Sequence, residues 1–279
     1  MNTPFNFRLT KFPNEAEILR HEVREFLSDA LKDIPKETRA ETWYGADENF
    51  SRKVGQKGWI GLNWPKEYGG AGRSSMERYV ILEEMLTAGA PVGAHWISDR
   101  QSGPLIIRYG SEKHQKELLP GILKGESYFC IGMSEPDSGS DLAALRTKAE
   151  KKGNIYLVNG TKLWTSGAHR CQYMIALFKT SQEEDRHGGF SQFIVDLSLP
   201  GVTIRPIIDL AGRHHFNEVI FEDVEVPADM LIGTEGDGWN QVTAELALER
   251  SGPERYLSSY ILLQELVNEF SNKNDDEGV

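Results

Sequence analysis

Cysteine is nearly absent from this chain: Cys130 and Cys171 are the two in 279 residues. That is too few for a disulfide framework and fits a reducing compartment, where both thiols are expected to be buried and inert. Long apolar runs are lacking too. The opening MNTPFNFRLT has no apolar signal-peptide core, and no uncharged stretch approaches a bilayer span, so a soluble, cytoplasmic protein is expected. Basic charge is in deficit, with 31 Lys and Arg against 42 Asp and Glu and a formal net charge of -11. Such a balance argues against nucleic acid as the main partner, though not against a small phosphate compound bound locally. There is no internal repeat and no low-complexity tract.

The common cofactor signatures are missing as well. Gly69-Gly70-Ala71-Gly72 and Gly233-Thr234-Glu235-Gly236-Asp237-Gly238 lack the dinucleotide-binding spacing, and neither joins a strand to a helix in a βαβ unit. Gly160-Thr161-Lys162 is not a Walker loop, and His21-Glu22 lacks the second histidine of a zinc-protease helix. His214-His215 is the one pairing that suggests a metal, but adjacent residues of a strand face opposite ways, so no metal site is expected.

What is present is a change of texture along a chain long enough for two domains. Up to about residue 126 the spacing is helical. Ile18, Val23, Phe26 and Leu27 follow Asn14, a predicted N-cap; Ser74-Ser75 opens a second helix; a third runs near Trp96 to Tyr109; Ser111 caps a short one expected to end at Pro120. The aromatic- and turn-rich Gly58 to Gly70 reads as a packed loop. Residues 127–230 shift toward a period of two. Strands are predicted around Ile155–Val158, Thr161–Trp164, Tyr173–Phe178, Phe193–Asp196, Val202–Ile208 and Val219–Val224, with Asn159-Gly160 as a hairpin turn and an antiparallel domain as the result. Helical spacing returns over 231–279 through Trp239, Val242, Leu246, Tyr256, Tyr260, Leu263 and Val267, broken near Gly252-Pro253. That last apolar stripe needs a cover that the polar residues behind it cannot supply. The fold class is α+β: a helical domain, a barrel-like β domain and the start of a helical segment.

Two stretches carry the chemistry. Met133-Ser134-Glu135-Pro136-Asp137-Ser138-Gly139-Ser140-Asp141 packs hydroxyls, acids, a proline and a glycine into one bend, able to turn N–H groups and hydroxyls toward an acceptor-rich ligand. Leu163-Trp164-Thr165-Ser166-Gly167 sets an aromatic plane among hydroxyls, which suits a flat heterocycle. Read singly, the first is more simply a strand-to-loop turn and the second more simply a core tryptophan.

The Ser-Glu-Pro-x-x-Gly-Ser-Asp turn, the Asn-Gly-x-Lys-x-Trp-x-Ser stretch and Phe221-Glu222-Asp223-Val224-Glu225-Val226-Pro227 stand in an order that resembles the acyl-CoA dehydrogenases, from about residue 14 to 266. The resemblance implies a helical domain, a β domain, a C-terminal four-helix bundle and FAD as cofactor. It implies that Ile131, Gly132, Met133 and Ser134 lie along the isoalloxazine edge, with Trp164 on the ring face away from substrate. Thr165 and Ser166 come near flavin N5, and Ser140 lies near the pyrophosphate and the CoA moiety. It implies Glu249 as the base that removes the α-proton of an acyl-CoA, with Arg250 ordering the substrate. Electrons would pass to an electron-transfer flavoprotein or a similar acceptor. Arg100-Gln101-Ser102-Gly103-Pro104 and Glu249 to Arg255 look nearest to bacterial subfamilies acting on bulky or long acyl-CoAs.

The chain departs from that pattern in lacking most of the bundle. It is therefore expected to be a dehydrogenase subunit completed by another chain in a homo- or hetero-oligomer. The alternatives are a non-catalytic fragment and a flavin oxidase or monooxygenase on the same scaffold.

Overall fold

A computed structural model of the chain describes residues 11–249 and 252–271. The helical part comprises α1 (Asn14–Ala30), α2 (Lys36–Ala40), α3 (Glu48–Gln56), α4 (Ser75–Thr87), α5 (Gly103–Tyr109) and α6 (Glu112–Leu123), with a π-helical turn at Ser98–Ser102 feeding α5. Ala16, Leu19, Val23, Leu27 and Ala30 form the buried stripe of α1. It packs on α4, where Arg20 reaches Glu83 and Glu84 at 2.5 Å each. Ser74 and Ser111 both build reciprocal capping boxes, as their positions predict.

Three helical expectations are corrected. Asn14 is the first helical residue rather than the cap; Pro13 holds the cap position without a side-chain bond. Ile18 lies beside the buried stripe and is 69% exposed. Helix α6 does not stop at Pro120 but runs through it to Leu123. The proline costs one hydrogen bond in the last turn, and burial of Leu118, Leu119 and Ile122 outweighs it.

The β domain contains β1 (Phe129–Gly132), β2 (Lys148–Lys152), β3 (Ile155–Ser166), β4 (Tyr173–Lys179), β5 (Phe190–Asp196), β6 (Val202–Ile208) and β7 (His214–Pro227). Among the described residues they form one sheet in the order β1-β4-β2-β3-β7-β6, with β5 on β4. Most ladders are antiparallel. The β1–β4 ladder and a single β2–β4 contact are parallel, because the β2–β3 excursion separates β1 from β4 in sequence and returns the chain in the same direction.

Asn159-Gly160 is not a hairpin turn. Both residues lie inside β3, where the register against β7 shifts between Val158 and Gly160. The Asn159 side chain accepts from the Asp223 N–H and donates to the Asp223 carboxylate, both at 2.9 Å. Gly160 has φ 144°, and a Cβ there would stand 2.5 Å from Thr147 Oγ1. The backbone freedom that suits a hairpin serves a β-bulge equally well.

The chain then forms α7 (Gly238–Glu249), α8 (Glu254–Leu257) and α9 (Tyr260–Ser271), with the break at Gly252-Pro253. Val242 seats α7 among Leu145, Leu177 and Phe190. Only Ile261 of α9 is buried, while Leu262, Leu263, Leu266, Val267 and Phe270 are each about half exposed or more. Of the stripe expected to need a cover, Trp239, Val242 and Leu246 pack against the β domain, while the outer face of α9 stays exposed among the described residues. Cys130 is buried, whereas Cys171, at the strand edge after the Ala168–Arg170 turn, is only partly so. No described helix is long and apolar enough to cross a membrane.

Candidate functional site

The two motifs meet. Beyond β1 the chain bends through Met133 and Ser134, and the Leu163 N–H of β3 donates to the Ser134 carbonyl at 2.8 Å. Between them opens a cavity of about 360 Å³, walled here by Ile131, Met133, Ser134, Leu163, Trp164 and Ser166. The helical part supplies the facing wall through Trp43, Tyr44, Trp96 and Ile97, with Arg100 and Gln101 from the π-helical turn, and Glu254 and Arg255 closing it from α8.

Trp164 is the unusual residue of the site. It is 56% exposed, it has φ 60°, and it sits where β3 shifts register between Lys162 and Thr165. A bulky side chain in the left-handed region costs roughly 1–2 kcal/mol. Its one ring neighbour among the described residues is Phe216, edge-on at 5.9 Å and 86°. The bulge turns the indole outward at a cost in backbone energy, and Ser166 lines the same cavity.

Beneath the bend lies an ion pair. Lys162 is fully buried, and its Nζ donates to Glu135 Oε1 at 2.9 Å and to the Met133 carbonyl at 3.0 Å. Glu135 also accepts from the Arg146 and Thr147 N–H groups at 2.6 and 3.0 Å. Burial pushes the Lys162 ammonium down to about 8 against the pull of Glu135. Burial also works against the Glu135 carboxylate, yet Lys162 and the hydrogen bonds hold it below its usual range. The pair fixes the Met133–Ser134 backbone on β3.

Not every sequence-predicted residue reaches the cavity. Ile131, Met133, Ser134, Trp164 and Ser166 line it. Gly132 is buried behind, where a Cβ would stand 2.3 Å from Met174 Sδ; Thr165 points to the other side of the sheet, buried; Ser140 is exposed on the turn and does not line the cavity. Glu249 ends α7, and its side chain and the whole of Arg250 lie outside the described residues. Helix α7 itself is anchored on β5 by Gln192 Nε2 to Glu245 Oε2 at 3.0 Å and near it by Gln241 Nε2 to the Ile232 carbonyl at 2.9 Å. Sequence reasoning missed Trp43, Tyr44 and Trp96 as wall residues. Trp43 and Tyr44 stack at 4.0 Å in a short 3-10 turn with no periodicity to mark it.

The order of elements, a helical part followed by a curled β domain with an aromatic-walled cavity between them, defines the class. Residues 13–126 match the family model "Acyl-CoA dehydrogenase, N-terminal domain" and residues 130–224 match "Acyl-CoA dehydrogenase, middle domain". The chain is 38% identical over 250 residues to acyl-CoA dehydrogenase FadE29 of Mycobacterium tuberculosis, an alignment covering 88% of this chain and 64% of that protein. Among solved structures it is similar to the Tcur3481-Tcur3483 steroid ACAD, with TM-score 0.85 and 32% identity over 96% of this chain and 70% of that one. The ChsE4-ChsE5 complex from Mycobacterium tuberculosis gives TM-score 0.83 and 32% identity, covering 97% and 69%. The chain belongs to the acyl-CoA dehydrogenase family. It spans about two thirds of the length of these relatives.

Proposed function

We propose that this chain holds FAD in the cavity between the Ser134 bend and Trp164 and takes part in α,β-dehydrogenation of an acyl-CoA thioester. The observation that carries the reading is the exposed, left-handed Trp164 facing a cavity edged by hydroxyls. Such strain is retained where function requires it. FAD, when bound, supplies the hydride acceptor for the substrate β-carbon. Ser134 and the N–H groups near it would face the pyrimidine part, Ile131 and Met133 the ring edge, Trp164 one ring face and Ser166 the N5 region. Ser140 would stand toward the pyrophosphate and CoA. Glu249, at the end of the anchored α7, would take the α-proton, with Arg250 ordering the thioester. The aromatic walls Trp43, Tyr44 and Trp96 suit a bulky acyl group, the kind named for the steroid ACAD it resembles. The exposed α9 stripe suits a second subunit, and an electron-transfer flavoprotein or similar acceptor would reoxidise the flavin.

The reading is tested by adding a bulky acyl-CoA anaerobically to the FAD-loaded chain, alone and with a partner subunit. Loss of the visible flavin band is expected without oxygen. A band unchanged in both preparations contradicts it, and reoxidation by oxygen as fast as by an acceptor protein would favour an oxidase. Trp164→Gly separates function from stability. The cofactor-free variant is expected to be at least as stable as wild type, by about 1 kcal/mol from the relieved backbone, in thermal unfolding. Its FAD affinity is expected to fall roughly ten-fold through the lost aromatic contact.

A further inference from the structure

One wall of the cavity is charged. Arg100, 6% exposed, pairs with Glu254, 3% exposed, across 154 residues of sequence, and its guanidinium lies 5.6 Å from the Trp96 ring centroid. Both residues line the same cavity as Ser134 and Trp164. Arg100 belongs to the π-helical turn Ser98–Ser102, a rare geometry that recurs at functional sites. Asp99 of that turn is held from behind, accepting from the Gly61 N–H at 2.6 Å and from Arg78 at 3.0 Å, so the turn is fixed with Arg100 and Gln101 on the cavity side.

Glu254 is not fully used. Glu254 gives Oε1 to Arg100, while its Oε2 is buried with no hydrogen-bond partner among the described residues. A buried acceptor without a donor is costly, and more so when it carries charge. The group that completes it must bring a proton. An alkyl chain brings none, a ketone brings none, and a carboxylate is repelled by Glu254. A hydroxyl donates to Oε2 and keeps lone pairs for a donor such as the Gln101 amide, which lines the same cavity. We propose that the Arg100–Glu254 pair is a specificity determinant that recognises a hydroxyl on the acyl group, remote from the thioester. This rests on the acyl-CoA reading above and deepens it to hydroxyl-bearing acyl-CoAs.

The test uses the full chain loaded with FAD and non-oxidisable thioether analogues of acyl-CoA, their chains of increasing length ending in a methyl, a ketone or a hydroxyl, with affinity read by calorimetry. At one chain length the hydroxyl compound is expected to bind about ten-fold more tightly than its methyl counterpart, a hydrogen bond to a charged group. Glu254→Gln keeps an oxygen for Arg100 and replaces Oε2 with an N–H donor, so the preference is expected to pass to the ketone. Should that variant fail to fold, Glu254→Asp, which withdraws the carboxylate, is expected to move the hydroxyl preference to a longer chain. Equal affinity for the three ends at every length overturns the inference and leaves the acyl-CoA reading in place. A hydroxyl preference unchanged in the variants overturns it too. Absence of binding by every analogue removes both.

Discussion

Glu249→Gln is expected to fold and take up FAD as wild type does, while acyl-CoA reduces its flavin roughly a hundred- to ten-thousand-fold more slowly, the usual contribution of a positioned base. The substitution keeps shape and removes only basicity. Helix α7 is held by other residues: Val242 packs among Leu145, Leu177 and Phe190, and Glu245 and Gln241 make polar anchors. Glu249 follows Glu245 by one helical turn, at the end of the element that borders the π-helical turn. Stopped-flow reduction under anaerobic conditions gives the rate. An unchanged rate would take the α-proton away from Glu249.

Lys162→Met is expected to destabilise the chain by about 3–5 kcal/mol, because it strands the Glu135 carboxylate in a buried position. A Glu135→Gln/Lys162→Met double variant is expected to recover much of that loss in urea denaturation, since no charge then remains unpaired. The acid dependence should distinguish the proteins. In wild type the Glu135 pKa is held below its ordinary value of 4.5, so its stabilisation is complete above that pH and fades as pH falls through the lowered value. In Lys162→Met the sign reverses. An unpaired buried carboxylate takes up a proton more readily than in the unfolded chain, so the variant's deficit is expected to shrink at acid pH. A deficit that is the same at neutral and acid pH would contradict this account of the pair.

Legibility in the sequence followed the strength of local signals. Ser74 and Ser111 announce their helices because a capping box is written within four residues. The α9 stripe was legible from spacing alone. Asn159-Gly160 misled because its signal reports backbone freedom and says nothing of whether the chain reverses there; the Asp223 pairing that makes it a bulge comes from β7, far along the sequence. Pro120 misled for a related reason, since the burial around it is tertiary. At the site, Ser134 and Trp164 could be named from their motifs, and the Leu163 N–H bond to the Ser134 carbonyl brings the two motifs together. Lys162 was visible as a motif letter but not as a buried pair, and the wall formed by Trp43, Trp96, Arg100 and Glu254 is assembled from distant segments without a shared pattern.

The central claim is that a flavin ring fits between the Ser134 bend and the Trp164 indole. Titrating the purified chain with FAD, by visible absorbance and tryptophan fluorescence, in wild type and Trp164→Gly side by side, tests it most directly. The account predicts saturable binding in wild type, with tryptophan quenching, and clearly weaker binding in the variant. A chain that stays colourless, or a variant that binds FAD as tightly as wild type, would contradict it.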